Sequence, residues 1–211
     1  MDALPSGAVV VDVGGGRHCS FAHQLRPDRE AHVVAVDISP EELAANTSVD
    51  ETRVADVVEQ LPFADGEVDL VVSRTLLEHV QSVERAACEM ARVLRPGGRS
   101  IHLVPCRYSL FAIGARLLPF ALLKRTLQTL LPETRGVIEF DVVYDRGHPS
   151  ALKDAFHLAD FARVDLEYTW DQSGYFHWFF PAFVLVLAYQ RAVEILNLTV
   201  LASYVVIRAE R

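Results

Sequence analysis

Residues 9–16 read Val-Val-Val-Asp-Val-Gly-Gly-Gly, and this stretch decides the fold of the chain. A continuous run of β-branched residues predicts a strand that is buried on both faces. The glycines predict a turn at which the backbone comes close to another group. A buried carboxylate such as Asp12 is costly unless it is hydrogen-bonded, so we interpret it as an anchor for this turn and a support for a ligand. The dinucleotide pattern G-x-G-x-x-G is incomplete, because position 19 is Cys.

Composition narrows the class of protein. The chain has 211 residues, which suits one α/β domain with a full core. Its net charge of −8 argues against a general nucleic-acid binder. The three cysteines are far apart and form no C-x-x-C pair, which argues against a zinc site or a disulfide framework. The first residues lack the basic start and apolar core of a signal peptide, so we expect a cytoplasmic protein.

Strand and helix patterns alternate along most of the chain. The predicted strands are 8–13, 32–37, 52–55, 68–73, 99–104, 161–169 and 201–208. The predicted helices include 40–46, 82–94 and 149–159. This alternation implies parallel crossovers and therefore a doubly wound sheet. The last two strands depart from the pattern, because a long insertion separates them.

Polar residues follow the strands at their carboxyl ends, where ligands bind in sheets of this kind. Asp37 closes the second strand, about 20 residues after the glycines, where a carboxylate can accept both hydroxyls of a ribose. It could instead cap the next helix, although Ser39 is the better candidate for that cap. Asp56 follows the third strand and is placed to reach an adenine amino group, but it could also be an ordinary turn aspartate.

These segments together resemble the class I S-adenosylmethionine-dependent methyltransferases, particularly the type 11 domains of small-molecule enzymes. The similar stretches occur in the family's order from about residue 9 to residue 104, at positions 11–16, 36–37, 54–56, 61–63, 69–73, 77–80 and 92–98. The resemblance implies a Rossmann-like seven-stranded sheet with an antiparallel last strand. It also implies S-adenosylmethionine as cofactor. The expected cofactor-binding residues are Asp12, Gly14, Gly15, Gly16, Arg17, Asp37, Ile38, Asp56, Val57 and Ser73.

Two features depart from the family's usual pattern. His18 stands where a third glycine is usual, which leaves less room near the methionine end of the cofactor. Arg17 and His18 could instead contact the methionine carboxylate. Only about seven residues precede the first strand, where the family often has covering helices. Either the insertions supply a lid, or the chain is trimmed at its start.

His79 is the candidate catalytic residue. It comes shortly after the fourth strand, so it can face the methyl-transfer centre, and imidazole suits proton removal near neutral pH. It could also be a packed or solvated histidine. The neighbouring Glu78 could either orient His79 or cap a backbone turn. The sequence shows no clustered carboxylates or histidines with metal-ligand spacing, so we expect no metal.

Two apolar insertions, at about 105–147 and 171–198, are expected to carry information about the acceptor. Residues 103–131 include Arg107, Arg116, Lys124 and Arg125 but no acidic residue, and 175–189 is an uncharged apolar run. That run is too short to span a bilayer. The insertions could pack together as a helical cap, with a possible homodimer interface. Alternatively they could touch an anionic membrane or bind an amphipathic ligand.

Candidate acceptor contacts lie in these insertions: Tyr144, Asp145, His148, Tyr175 and His177. Pro149-Ser150 could also be an ordinary helix start. The leading hypothesis is an S-adenosylmethionine-dependent methyltransferase, an enzyme that O-methylates a small or lipid-linked acceptor such as a sugar, a quinone-like phenol or a polyketide. A non-catalytic cofactor-binding partner subunit is the alternative. A nicotinamide-dependent oxidoreductase is less favoured, because the full glycine pattern and a hydride-transfer pair are missing.

Overall fold

The computed structural model describes residues 4–22, 31–110, 112–113, 143, 145, 148–171 and 180–211. Within these ranges, the strands are β1 (Val9–Val13), β2 (His32–Asp37), β3 (Glu51–Val54), β4 (Val68–Arg74), β5 (Leu94–Pro105), β6 (Arg163–Thr169) and β7 (Tyr204–Glu210). The α-helices are α1 (Pro40–Ala44), α2 (Val83–Val93), α3 (Pro149–Leu158) and α4 (Phe180–Ile195). A short 3-10 helix spans Thr199–Leu201.

All seven strands belong to one sheet, in the spatial order β3-β2-β1-β4-β5-β7-β6. Strands β1 to β5 pair with one another in parallel, whereas β7 is antiparallel to both β5 and β6. The predicted doubly wound sheet with an antiparallel last strand is therefore confirmed. Because β1 pairs with β2 on one side and with β4 on the other, the strand order reverses at β1. The carboxyl end of β1 is thus the topological switch point at which ligands bind.

Several predicted boundaries were wrong. Strand β5 begins at Leu94 rather than at residue 99, because Leu94 pairs with Val68 before a register shift. Strand β7 begins at Tyr204 rather than at residue 201, because Thr199–Leu201 forms a 3-10 helix. Strand β6 begins at residue 163 rather than at 161. The sequence Arg-Pro-Gly-Gly after α2 consequently lies within the start of β5.

Two apolar clusters cover the faces of the sheet. The larger one contains inward residues of β4, α2 and α3, including Val71, Met90 and Phe156. Helix α2 contributes buried residues at spacings of three and four, which is the apolar face that its sequence predicts. The smaller cluster packs on the other face and includes Val10 and Val33. Together the two clusters bury the parallel strands on both faces.

The connection between β6 and β7 lies at the carboxyl edge of the parallel strands. Strand β6 ends at this edge and β7 begins there, because the two strands are antiparallel. Helix α4 is part of this connection and falls in the second predicted insertion. Most of the first predicted insertion lies outside the described residues. Within the ranges that the structure describes, no helix is both long and apolar enough to cross a membrane.

Candidate cofactor and acceptor site

The glycines after β1 form a turn that tolerates few side chains. Gly14 and Gly16 have φ angles of 75° and 43°, which favour glycine. A Cβ atom on Gly14 would lie 2.9 Å from Leu76 Cδ1, which shows that the loop after β4 packs against this turn. A Cβ atom on Gly15 would lie 2.9 Å from the Cβ of Ala35 and 3.1 Å from the Asp12 carbonyl oxygen. The close backbone approach predicted from the sequence is therefore present. The glycine turn packs against β2 and against the loop after β4.

The amide groups of this turn are directed toward β2. The N–H groups of Gly14 and Gly15 donate to the Val36 carbonyl oxygen at 2.7 and 3.2 Å. The N–H of Gly16 donates to Oδ2 of Asp37 at 3.1 Å. A pyrophosphate-binding turn instead directs its amides at the ligand. The arrangement therefore suits a ligand without a phosphate better than a dinucleotide.

Asp12 anchors the turn through a side-chain hydrogen bond to the chain beyond the glycines. Its carboxyl is buried and shares a hydrogen bond with the Cys19 thiol. Burial, together with the nearby Asp37 charge, raises the pKa of Asp12 to about 7, although the Cys19 bond acts in the opposite direction. The side chain thus connects the end of β1 to the chain beyond the glycines, which is the anchoring role expected from the sequence.

Asp37 presents its carboxylate at the switch point. Oδ2 accepts the Gly16 N–H, and Oδ1 accepts the Ser39 N–H at 3.0 Å. A carboxylate has about four acceptor positions, so these two bonds leave capacity for two ribose hydroxyls. Ser39 caps α1 by accepting the Glu42 N–H, so the helix does not need Asp37 as its cap. The half-buried Asp37 is therefore held by the backbone and remains able to accept from a ligand.

Asn46 and Ser48 also hold the turn, and the sequence analysis missed both. The Asn46 side-chain amide donates to the carbonyl oxygen of Gly16 at 2.9 Å. Asn46 Oδ1 accepts from the Ser48 hydroxyl, which in turn accepts the Cys19 N–H at 2.8 Å. These residues lie about 30 positions after the glycines, in an ordinary turn sequence. No sequence signal connects the two segments.

The end of β3 lies beside Asp37. The Ala55 N–H donates to the Asp37 carbonyl oxygen at 3.0 Å, which brings the next residue, Asp56, to the same edge. Asp56 Oδ1 accepts the Val58 N–H at 2.9 Å, so one carboxylate oxygen stabilises the local turn. The Val57 side chain is buried in the core. Ile38, directly after Asp37, is exposed at the same edge.

Arg17 and His18 lie at the outer side of the turn. The Arg17 guanidinium forms a two-point ion pair with Glu42, with both N–O distances at 2.6 Å. His18 is exposed. Among the described residues, a Cβ atom on Gly16 would meet only Asp37 Oδ2, at 3.9 Å. The described part of the chain therefore leaves Gly16 accessible at this position.

Ser73 does not offer its hydroxyl to a cofactor. Its Oγ lies 2.8 Å from His102 Nδ1, and both side chains are buried between β4 and β5. His102 packs on Phe156, and burial lowers the pKa of its ring to about 3. The expectation that Ser73 binds the cofactor is therefore corrected for its side chain. The sequence places Ser73 at the strand end but does not show that it faces the core.

His79 and Glu78 stand above the carboxyl end of β4. The ring Nε2 of His79 is 3.8 Å from Glu78 Oε1, and the ring is partly exposed. Glu78 is buried, and burial raises the pKa of its carboxyl to about 8. Within the described residues, its Oε2 has no hydrogen-bond partner. Thr75, just before this pair, has a φ of 53°, which is strained for a β-branched residue and typical of functional sites.

The structure describes two of the five predicted acceptor contacts, Asp145 and His148. Asp145 Oδ2 accepts the Val83 N–H at 3.1 Å, so its carboxylate caps the start of α2. His148 is the N-cap of α3, as the helix-start interpretation predicts, and its Nδ1 accepts the Ser150 N–H. Tyr144, Tyr175 and His177 lie outside the described residues. Among the residues that are described, no group of three or more His, Cys, Asp or Glu side chains could hold a metal ion.

The donors and acceptors at this edge fit S-adenosylmethionine. The Asp37 carboxylate keeps acceptor capacity, the described residues leave Gly16 accessible, and Ile38 and Asp56 lie at the same edge. Leu76 joins the loop after β4 to the glycine turn. That contact brings the segment containing Glu78 and His79 to the same end of the sheet. The residues that would bind a nucleoside and the residues that would remove a proton from an acceptor therefore lie at the same carboxyl edge of the sheet.

Comparison with known proteins agrees with this geometry. Residues 11–102 match the family model described as a methyltransferase domain. An uncharacterized methyltransferase from Mycobacterium sp. (strain KMS) is 38% identical over 102 residues, which cover 47% of this chain and 40% of that protein. A demethylmenaquinone methyltransferase from Mycolicibacterium vanbaalenii is 44% identical over 79 residues, covering 37% of this chain and 33% of that protein. The chain thus spans less than half the length of these relatives.

A solved structure extends the likeness over the whole chain. The S-adenosylmethionine-dependent methyltransferase from Mesorhizobium loti superposes with a TM-score of 0.62 at 18% identity, covering 100% of this chain and 94% of that one. This likeness concerns the fold. The resemblance inferred from the ordered motifs is confirmed: residues 11–102 match a methyltransferase domain, and the fold is that of S-adenosylmethionine-dependent methyltransferases.

Proposed function

We propose that the chain transfers a methyl group from S-adenosylmethionine to a hydroxyl of a small or lipid-linked acceptor. The observation that carries this proposal is the rim at which Asp37, the glycine turn and the Glu78–His79 pair come together. Nucleoside recognition and proton removal are the two tasks that such a reaction requires. Each has a candidate group in this rim.

The cofactor would be held mainly by its nucleoside. When bound, S-adenosylmethionine supplies an electrophilic methyl group on a sulfonium, so the protein must align the acceptor and exclude water. Asp37 would accept the ribose hydroxyls, and Asp56 would approach the adenine amino group. Ile38 and the main chain at Val57 would cover the base. Gly14, Gly15 and Gly16 give the close approach that these contacts need.

His79 would remove the proton of the acceptor hydroxyl as its oxygen attacks the methyl carbon. The imidazole would gain that proton, and Oε1 of Glu78 lies 3.8 Å from Nε2. Burial raises the pKa of the Glu78 carboxyl to about 8, which favours its protonated form near neutral pH. Glu78 would therefore act as a neutral neighbour that helps to position the ring.

A quinone-like phenol is one acceptor that the comparisons support. Some relatives are demethylmenaquinone methyltransferases, at 44% and 38% identity over parts of this chain. The apolar, acid-poor insertions would also suit an amphipathic acceptor better than a free sugar. Acceptors of the sugar and polyketide classes therefore belong in the test beside phenols and quinols.

The decisive experiment combines cofactor binding with turnover. We expect titration calorimetry to show binding of S-adenosylmethionine and no comparable binding of NADH, because the glycine amides are directed toward β2. We then expect methyl transfer to at least one member of a panel of phenols, quinols, sugars and polyketides. Cofactor binding without turnover on any acceptor would favour the non-catalytic subunit. Tight NADH binding would contradict the cofactor assignment.

Replacement of Asp37 tests the nucleoside contact. Asp37→Ala removes the proposed ribose acceptor, and we expect cofactor affinity to fall by about 1–3 kcal/mol. Asp165→Ala is the matched control, because Asp165 is an exposed aspartate on β6. Calorimetry of both variants measures the difference. Unchanged cofactor affinity in Asp37→Ala would refute the ribose assignment.

A further inference from the structure

The described end of the first insertion is bonded to the segment that carries the candidate base. The Val143 N–H donates to the Glu78 carbonyl oxygen at 2.8 Å. Asp145 Oδ2 accepts the Val83 N–H at 3.1 Å, across 62 positions of sequence. We call Val143 and Asp145 the insertion anchor. Its two bonds join the first insertion to the loop after β4 and to the start of α2.

The insertion anchor encloses residues 78–83, the segment that leads from the loop after β4 into α2. Val143 is bonded to the first residue of this segment and Asp145 to the last. His79 lies between them, and its own N–H donates to the Leu76 carbonyl oxygen at 2.9 Å. A short segment that is bonded at both ends keeps little conformational freedom. The insertion anchor therefore restricts the position of the His79 backbone.

Asp145 suits the start of α2 because of its charge and its place. The first N–H groups of an α-helix have no partner within the helix. Ser82 caps α2 and accepts the Arg85 N–H at 3.3 Å, and Asp145 accepts the Val83 N–H. A carboxylate at this end also interacts favourably with the helix dipole. Two separate acceptors, one of them from the first insertion, thus complete the helix start.

The chain after Asp145 is fixed to the core. His148, three residues later, is the N-cap of α3. Helices α2 and α3 pack against each other, and Met90 and Phe156 belong to the same buried cluster. Asp145 is therefore placed beside a rigid pair of helices, so its carboxylate can hold the His79 segment in a defined position.

We propose that Asp145 is a positioning residue for His79. Its carboxylate holds the end of residues 78–83, and through them it keeps the imidazole at the carboxyl edge of the sheet. The inference rests on the proposed function, which gives His79 the task of proton removal. A reacting group that is misplaced by about 1 Å can cost about 100-fold in rate, so a bond remote from the reacting atoms can change kcat.

Steady-state kinetics tests this role, with the phenol, quinol, sugar or polyketide that gives turnover. Asp145→Ala should lower kcat by about five- to tenfold and leave the acceptor KM and the cofactor affinity within about twofold of the parent. Asp145→Asn keeps an oxygen that can accept the Val83 N–H, so kcat should return to within about twofold of the parent. In the His79→Ala background, Asp145→Ala should lower kcat by less than about twofold, because its effect passes through His79.

Ser82→Ala is the matched control. It removes the other acceptor at the same helix start and leaves the bond between Val83 and Asp145 in place. We expect Ser82→Ala and Asp145→Ala to destabilise the fold to a similar extent, as urea unfolding measures. Only Asp145→Ala should lower kcat by more than about twofold. Circular dichroism checks that all variants keep the fold.

Amide hydrogen exchange, followed by NMR, tests the insertion anchor without any turnover. In Asp145→Ala, the amides of Val83 and Val143 should both exchange about tenfold faster, because the two bonds hold one segment. In Ser82→Ala, the Val143 amide should exchange within about twofold of the parent rate.

Four results would overturn the proposal. They are equal kcat losses in Asp145→Ala and Ser82→Ala, no recovery in Asp145→Asn, a full loss of kcat from Asp145→Ala in the His79→Ala background, and unchanged exchange of the Val143 amide in Asp145→Ala. A raised acceptor KM with unchanged kcat would instead make Asp145 an acceptor contact. No turnover by the parent on any acceptor would contradict the proposed reaction, whereas amide exchange would still decide whether Asp145 holds the segment.

Discussion

The glycine turn and helix α4 both belong to connections at the carboxyl edge of one sheet, but they are built differently. In the turn, the amides of Gly14, Gly15 and Gly16 all have partners on β2, and Asn46 holds the Gly16 carbonyl oxygen. Along α4, large apolar side chains such as Leu185 and Ile195 remain exposed. The polar backbone groups of the turn thus find hydrogen-bond partners within the chain. Among the described residues, no comparable set of partners covers these side chains of α4.

This difference explains why the cofactor can be inferred more easily than the acceptor. A nucleoside is recognised through backbone geometry and one carboxylate, which leave a short motif in the sequence. An apolar surface requires only hydrophobic side chains, which many unrelated segments have. A function that depends on backbone shape can therefore be inferred from a short stretch of sequence. A function that depends on exposed apolar area can be inferred only from the folded structure.

The largest expected effect concerns the acceptor side. His79→Ala should lower kcat by about 100- to 10,000-fold, the range for loss of a general base, while leaving cofactor affinity nearly unchanged. His157→Ala, an exposed histidine on α3, is the control. Steady-state kinetics and calorimetry measure the two quantities. Turnover at the parent level in His79→Ala would remove the base role.

The next effect is the pH dependence that Glu78 gives to stability. Burial raises the pKa of Glu78 from 4.5 to about 8, so the folded state holds the proton more tightly than the unfolded chain. The resulting stability is fully present below about pH 4.5 and is lost as pH rises through about 8. The free energy of unfolding of Glu78→Gln minus that of the parent should therefore rise by about 2–4 kcal/mol from pH 5 to pH 8.

Urea unfolding at several pH values measures this gain. The comparison uses the difference in free energy of unfolding between variant and parent. The reason is that His102 contributes a pH dependence of stability with the opposite sign in both proteins. Burial lowers the His102 pKa to about 3, so its stability is present above 6.5 and is lost as pH falls. Glu59→Gln, at an exposed position, is the control and should show a flat difference. A flat difference for Glu78→Gln as well would contradict the buried, protonated carboxyl.

A smaller effect separates the glycine turn from an ordinary turn. Gly14 and Gly97 have nearly equal φ angles, 75° and 74°, but a Cβ atom meets Leu76 at Gly14 and open space at Gly97. Alanine at either position should cost about 1–2 kcal/mol of stability. Only Gly14→Ala should also weaken cofactor binding, by about tenfold, because Leu76 must move. Equal cofactor affinities in the two variants would show that the turn does not contact the ligand.

The smallest effect concerns Arg17. Its ion pair with Glu42 is largely exposed on the arginine side, and such pairs contribute about 0–1 kcal/mol. Arg17→Gln should therefore change the free energy of unfolding by less than about 1 kcal/mol. A calorimetric loss of more than tenfold in cofactor affinity would show that Arg17 leaves Glu42 to bind the methionine carboxylate. Glu42→Gln is the companion variant, because it removes the same pair without removing the cation.

The sequence predicts the alternating strands and the positions of Asp12, Asp37 and His79, because each lies in or shortly after the carboxyl end of a buried strand. It does not predict that Ser73 faces the core, because the face of a strand end depends on its pairing, here with His102. It also misplaces the start of β7, where residues 199–201 form a 3-10 helix before the strand. Asn46 acts on residues 30 positions away, and such a contact exists only in the folded chain.

The arrangement at the switch point has a consequence for how the reaction would proceed in time. In the proposed site, Asp37, Asp56 and the glycine turn would contact the ribose, the base and the side of the nucleoside that faces the backbone. None of these groups senses whether sulfur still carries its methyl group. The spent thioether would therefore compete with fresh cofactor for the same place. Sustained catalysis would depend on a companion activity that removes this by-product.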